Sequence, residues 1–145
     1  MGQIRQIKYR YRGKFEPERL AVDNIDRLSM EMVPEKTLVL ELGAATGFMG
    51  KWLKKAKKCK VVGVDLNSEA KPDVVGDLDE SITWQKIARR GKFGLVLASA
   101  ILEHLREPEV ALERIRKILK PKGILVVTLP NIAHWRMRLN LLLGR

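Results

Sequence analysis

The sequence predicts an α/β fold: a doubly wound, mostly parallel sheet of about five strands with helices on both faces, in one domain over residues 1–145. Three observations lead there. Short Val/Leu/Ile runs recur along the chain and are continuous rather than alternating, the pattern of strands buried on both faces. Segments with apolar residues at helical spacing separate them, which gives repeated β-α units with right-handed crossovers. The first run also carries an acid, Glu41, and breaks into a loop of glycine and alanine, and the second ends on another acid, Asp65. A strand delivering a side-chain-free turn, followed by a strand ending in a carboxylate, is what a nucleoside ligand requires of such a sheet.

The elements follow in order. Arg5, Lys8, Arg10, Arg12 and Lys14 alternate with Tyr9, Tyr11 and Phe15 at the start. An ordered lid, a crossing strand and a patch for an acidic substrate all fit that segment. Residues 17–32 predict a helix, with Leu20, Ile25, Leu28 and Met32 on its apolar face, Pro17 in its first turn and Pro34 as its stop. Strands are expected at 37–42, 60–65, 74–75, 95–98 and 124–129. Helices fill the gaps at 47–56, 82–90 and 108–119, the last with Val110, Leu112, Ile115, Ile118 and Leu119 inward. Lys120-Pro-Lys-Gly123 ends it, with Gly123 supplying the turn into the fifth strand. The tail, 130–145, begins as a loop and becomes an amphipathic helix.

Composition bounds the function. Hydrophobic residues make up 46% of the chain, which excludes general disorder, and no apolar run reaches the roughly 18–20 residues of a membrane span. The charged N-terminus lacks the pattern of a secretory signal, and Gln6 occupies the position where a myristoylation motif places Ser or Thr. The expected location is cytoplasmic. Cys59, the one cysteine, excludes an internal disulfide framework and reads as incidental. The net charge of +11 calls for a reading, and much of it lies in Lys51, Lys54, Lys55, Lys57, Lys58 and Lys60. A solvated helix face accounts for that run. A nucleic-acid partner is possible but not favoured, because no nucleic-acid module accompanies the charge.

After the first strand the backbone must turn sharply and approach a ligand, so small residues are needed at Gly43, Ala45 and Gly47. Glu41, just ahead, repels a pyrophosphate and suits an ammonium group. A zwitterionic ligand such as S-adenosylmethionine is therefore favoured over a dinucleotide. Asp65 is placed to accept from both ribose hydroxyls, and Asp77 from an adenine amine, with Leu66 and Leu78 packing on the base.

With these residues in place, the chain resembles the class I S-adenosylmethionine-dependent methyltransferases from about Pro17 onward. Glu41-Leu-Gly-Ala-Ala-Thr-Gly47 is similar to the family's first motif, Val64-Asp65 to its second and Gly76-Asp77-Leu78 to its third. Phe93 to Pro108 resembles the fourth strand and its following helix, and Leu119 to Asn131 the fifth-strand motif. Leu-Glu-His-Leu followed by Pro-Asn resembles the subgroup that includes ubiquinone-biosynthesis, methionine-biosynthesis W-like and cell-surface-sugar methyltransferases. The resemblance implies a Rossmann-like sheet, S-adenosyl-L-methionine as cofactor, and a cofactor set of Glu41, Gly43, Ala45, Gly47, Asp65, Leu66, Asp77, Leu78 and Ser99. Three departures stand out. Ala45 occupies a position that is often glycine, Gly94 stands where an acid is common, and five strands appear where the family has seven. The open edge leaves room for a second copy of the chain, a homodimer.

Methyl transfer needs alignment of donor and acceptor in a dry pocket, and a base where the acceptor is a hydroxyl. His104, just past the fourth strand and beside Glu103, is the candidate base. Some members of the subgroup bind a metal with Glu-x-x-Glu-His; Ala100 replaces the first glutamate, so no metal is expected. His134, Trp135, Arg136 and Arg138 either line an acceptor pocket or form a packing tail with solvated arginines. The sequence thus points to an S-adenosylmethionine-dependent enzyme methylating oxygen or nitrogen of a small or sugar-linked acceptor. A non-catalytic cofactor-binding or scaffold module and a nucleic-acid methyltransferase are the alternatives.

Overall fold

Strands β1 (Leu38–Leu42), β2 (Lys60–Asp65), β3 (Val74–Val75), β4 (Phe93–Ser99) and β5 (Leu119–Thr128) form one sheet in the order β3-β2-β1-β4-β5, with every pairing parallel. The computed structural model of the chain describes residues 15–131 and 135–144, the side chain of Arg136 excepted. The basic-aromatic segment 1–14 and His134 lie outside the described residues. Leu42 is level with Val64 on one side and Ala98 on the other, so the loops after β1, β2 and β4 leave the sheet on one edge. The strand order reverses between β1 and β4, and in open α/β sheets ligands bind at the carboxyl ends beside that reversal.

The strands form where expected because residues of both parities are apolar and both faces are covered. Leu40, Leu42, Val64, Val96 and Ala98 pack under Trp84 and Ile87 of helix α3 (Ser81–Ala88) and Ala111, Ile115 and Ile118 of helix α4 (Pro108–Ile118). On the other face Val39, Val61, Leu95, Leu97 and Val126 meet Met49 and Leu53 of helix α2 (Phe48–Ala56), with Met30 of helix α1 (Ile25–Glu31) and Phe15. Phe15 meets Phe48 edge-on, ring centroids 5.0 Å apart, and so braces the first turn of α2. Helix α5 (Trp135–Leu142) follows the last strand with Trp135, Leu141 and Leu142 exposed. Among the described residues no helix is long and apolar enough to cross a membrane.

Three expectations are corrected. Residues 17–32 are a 3-10 turn, Pro17–Arg19, and then the separate α1, which starts where the Asn24 side chain accepts from the Asp26 and Arg27 N–H groups. That start rotates the helix so that Asp26, Ser29 and Met30 are buried, while Ile25, Leu28 and Met32 face solvent. In α4 the inward stripe is Ala111, Ile115 and Ile118 at helical spacing, and Leu112 is exposed. At 120–123 the left-handed residue is Lys122, with φ of 61°. Gly123 is needed for a different reason: a Cβ there would lie 2.9 Å from the Lys120 carbonyl oxygen.

Gly94, where the sequence resemblance makes an acid the expected residue, packs closely on its neighbour. A Cβ at Gly94 would lie 2.7 Å from Thr37 Cγ2, so the Thr37 methyl fills the space that a side chain at position 94 would need. Gly94→Ala is expected to cost about 1–3 kcal/mol in urea unfolding through overpacking. Thr37→Ser, which removes that methyl, is expected to restore most of the loss in the double variant. Strictly additive effects of the two substitutions would contradict the clash.

Candidate functional site

Glu41 is the fourth of the five residues of β1, level with Gly63 of β2 and Leu97 of β4, and is 5% exposed. Its side chain reaches the face covered by α2. There Gly50 makes the room: a Cβ on Gly50 would lie 2.6 Å from Glu41 Oε2. Burial pushes the carboxyl from its ordinary 4.5 up to about 7; the Gly50 N–H and the Lys54 charge pull it down, and Asp65 and Asp73 push it further up. A buried carboxyl poised near neutrality is ready to ionise beside a cation. Gly50 was not singled out from sequence, because a glycine inside a helical stretch carries no mark of the acid across from it.

The loop after β1 uses the left-handed region three times, at Gly43 (φ 67°), Ala45 (φ 48°) and Gly47 (φ 67°). Gly43 is overlain by Ile101, whose Cδ1 would be 3.0 Å from an added Cβ. Gly47 precedes α2 with no capping side chain, and of the first-turn N–H groups that of Gly50 is taken by Glu41. Asp65 ties this loop to β2: Oδ2 accepts from the Ala45 N–H at 2.7 Å and Oδ1 from the Asn67 N–H at 2.8 Å. The acid is thus a clamp on the loop as well as a candidate ligand acceptor.

The remaining predicted residues border the same edge with different exposures. Asp77 Oδ1 accepts from the Asp79 N–H at 2.9 Å, and Leu66 stands 69% exposed on the loop after β2. Leu78 is in the core instead, with its carbonyl accepting from Trp84 Nε1 at 2.7 Å. Ser99 Oγ lies 3.0 Å from Thr128 Oγ1, and the Ala100 N–H donates to that same Thr128 hydroxyl at 3.1 Å. Thr128, buried at the end of β5, was not predicted; it holds β4 and β5 together where the loop begins. His104 and Glu103 are exposed on the 3-10 turn Leu102–His104, and the His104 N–H bonds the carbonyl of Ile101, the residue covering Gly43. Arg106 pairs with Asp79 at 3.3 Å beside a groove of about 340 Å³ that no residue of the glycine loop lines.

A family model described as a methyltransferase domain matches residues 9–144. The chain belongs to that methyltransferase family. S-adenosylmethionine is the cofactor that goes with it. Curated relatives include the ribosomal RNA large subunit methyltransferase E of Methanococcoides burtonii, 35% identical over 67% of this chain and 43% of the relative. The protein of the same name from Methanosarcina acetivorans is 33% identical over 86% of this chain and 50% of its own length. The chain therefore spans about half the length of the curated relatives it matches. Among solved structures, a TehB-like S-adenosylmethionine-dependent methyltransferase from Corynebacterium glutamicum is 28% identical, with a TM-score of 0.54 over 71% of this chain and 60% of that one. A glycopeptide N-methyltransferase, MtfA, 19% identical with a TM-score of 0.53 over 71% of this chain and 51% of that one, shares the fold.

Two stability measurements check the geometry of this methyltransferase domain. The folded chain holds the Glu41 proton more tightly than the unfolded chain, so the stability from this group is full below pH 4.5 and is lost as pH rises through about 7. The loss amounts to about 3 kcal/mol. Glu41→Gln is expected to remove that slope and to be more stable than the parent at pH 8, whereas parallel pH profiles would contradict a buried acid. Ala45→Gly keeps the Asp65 hydrogen bond and relieves the left-handed alanine; denaturation should show a gain of about 1 kcal/mol.

Proposed function

We propose that the chain binds S-adenosylmethionine across the carboxyl edge of the sheet and acts as a methyltransferase on a neutral nitrogen or oxygen nucleophile carried by an uncharged or cationic molecule. The observation that carries the reading is Glu41: a buried carboxyl with a raised pKa directly under the left-handed loop. A carboxylate there complements an ammonium group and opposes a phosphate. Asp65 spends one acceptor site of each oxygen on the backbone, and the carboxylate keeps others for ribose hydroxyls. Asp77 is assigned to the adenine amine and Leu66 to the face of the base. Leu78, in the core, fixes the position of Asp77 rather than stacking. Ser99, linked to Thr128, bounds the site on the β4 side.

The cofactor, when bound, supplies an electrophilic methyl group whose bonding electrons go to sulfur as the acceptor attacks in line. The chain's own residues orient and exclude water: Ile101 covers Gly43, and the loop is held by Asp65. His104 is assigned as the base that takes the acceptor's proton. The acceptor class follows from charge. Segments 65–69, 76–80 and 99–107 on the carboxyl edge contain two, three and two acids, against one arginine, Arg106. An edge of that sign attracts neutral and cationic molecules and repels a polyanion. A small or sugar-linked acceptor fits it. RNA as acceptor is the second reading, supported by the names of the two curated relatives and the net charge of +11.

Calorimetry with S-adenosylhomocysteine is expected to show one site per chain, weakened at least tenfold by Asp65→Ala. A folded chain that binds no S-adenosylhomocysteine contradicts the proposal. With labelled S-adenosylmethionine and a panel of amines, hydroxyls and RNA, His104→Ala should lower kcat by about 10²–10⁴ while cofactor affinity holds. An unchanged kcat removes His104 from the chemistry, and label entering RNA alone selects the second reading.

A further inference from the structure

The amino-terminal edge of the sheet, opposite the cofactor edge, carries the positive charge of the chain in a row. Segments 57–60 (Lys-Lys-Cys-Lys), 89–92 (Arg-Arg-Gly-Lys) and 116–122 (Arg-Lys-Ile-Leu-Lys-Pro-Lys) lead into β2, β4 and the stretch of β5 from Ile124 on. They contain three, three and four cations and no acid. Lys36 and Lys71 lead into β1 and β3 in the same way, accompanied by Glu35 and Asp73. The Asp73 carboxylate is already engaged by the Gly63 N–H at 2.8 Å. None of these cations is in the ion pairs between described residues, Arg19–Glu16, Arg27–Glu31 and Arg106–Asp79, although Lys57 Nζ donates to the carbonyls of Glu31 and Val33.

Backbone geometry adds an independent observation. Four strands are entered through a left-handed residue and β5 has one at the register irregularity before Ile124; at one of these five positions the residue is glycine: Gly91, with φ of 110°. At the other four it is lysine: Lys36 (φ 55°), Lys58 (φ 54°), Lys71 (φ 51°) and Lys122 (φ 61°). Glycine or asparagine is the low-cost residue in that conformation. A long cationic side chain held there four times, each exposed, places charge where the backbone would favour none, and such outliers point to use.

We infer that this edge is a docking surface for the phosphate backbone of RNA, separate from the acceptor site. Five parallel strands at their usual spacing set the entries in a line of about 20 Å, a shape that follows a linear polyanion. A bilayer surface is less well matched, because membrane-binding faces interleave large apolar side chains with their cations. No exposed large hydrophobic residue lies at 57–60, 70–73, 89–92 or 116–123. The surface does not depend on the acceptor: RNA held here leaves the cofactor edge about the length of a strand away, open to a small molecule or to a distant part of the same RNA.

The test uses the full chain and a fluorescent single-stranded RNA, with anisotropy read across a KCl series. The parent is expected to bind with an affinity that falls steeply with salt. Replacing the four left-handed lysines together, Lys36→Gly, Lys58→Gly, Lys71→Gly and Lys122→Gly, should leave a folded protein of equal or higher thermal midpoint, since glycine suits each position. It should reduce the magnitude of the log–log salt slope by about 3, near 0.7 for each lost contact on a single strand. A control lacking cations elsewhere, Arg19→Gln and Lys86→Gln, should keep the parent slope. Any contribution from residues 1–14 is common to all three proteins. Equal slopes for the parent and the glycine variant overturn the proposal, as does binding to anionic phospholipid vesicles without binding to RNA. S-adenosylhomocysteine affinity, measured in parallel, reports the cofactor reading separately.

Discussion

Burial of one carboxyl group constrains the rest of this site. Glu41 lies in the central strand, where a charged side chain is costly unless something compensates it. Gly50 gives it space and an N–H, Lys54 supplies a distant charge, and burial nevertheless leaves the proton affinity near neutrality. An apolar residue would serve the core better. Its presence makes sense as half of a pair whose other half arrives with a ligand: a cation at the loop would lower the proton affinity and recover the cost of burial as binding energy. The loop above has to come close, which explains left-handed geometry at three alternate positions and the Asp65 clamp that holds the middle one.

A parallel sheet has two chemically distinct edges, because every strand starts at one and ends at the other. In this chain that polarity is also electrical. Acids end or follow the strands, as at Asp65, Asp77 and Glu103, and cations precede them, as at Lys36, Lys58 and Lys92. The separation reconciles a strongly basic protein with a ligand edge that suits an ammonium group. The net charge taken as a single number points to nucleic acid, and resolved by edge it points away from the methyl-transfer site and toward the opposite rim.

The strands were legible in sequence because burial on both faces leaves continuous apolar runs, and β2 and β3 fall at their expected bounds. The left-handed loop after β1 was legible because glycine, alanine and acids occur there at fixed offsets from a strand. Side-chain destinations were harder. Ile25, Leu28 and Met32 have the spacing of an inward face, but the Asn24 cap and the seats of Met30 and Val33 turn α1 the other way. Leu78 follows an acid at a strand end, the pattern of a base-packing residue, yet Trp84 draws it into the core. Gly50, Thr128 and the Gly94–Thr37 exchange depend on partners remote in sequence, and no local pattern records them. Lysine in left-handed geometry was invisible for the opposite reason: the sequence signal for that conformation is glycine or asparagine.

The central claim is that Glu41 is a protonatable seat for a cationic ligand, and its carboxyl carbon reports on this directly. Carbon-13 NMR of the chain labelled at glutamate, with Glu41→Gln to assign the resonance, would follow the titration with and without S-adenosylhomocysteine. The account predicts a midpoint near 7 in the free chain that moves well below it in the complex, with proton release on binding at neutral pH. A midpoint in the ordinary carboxylate range in the free chain, or one that does not move when ligand saturates the site, would contradict it.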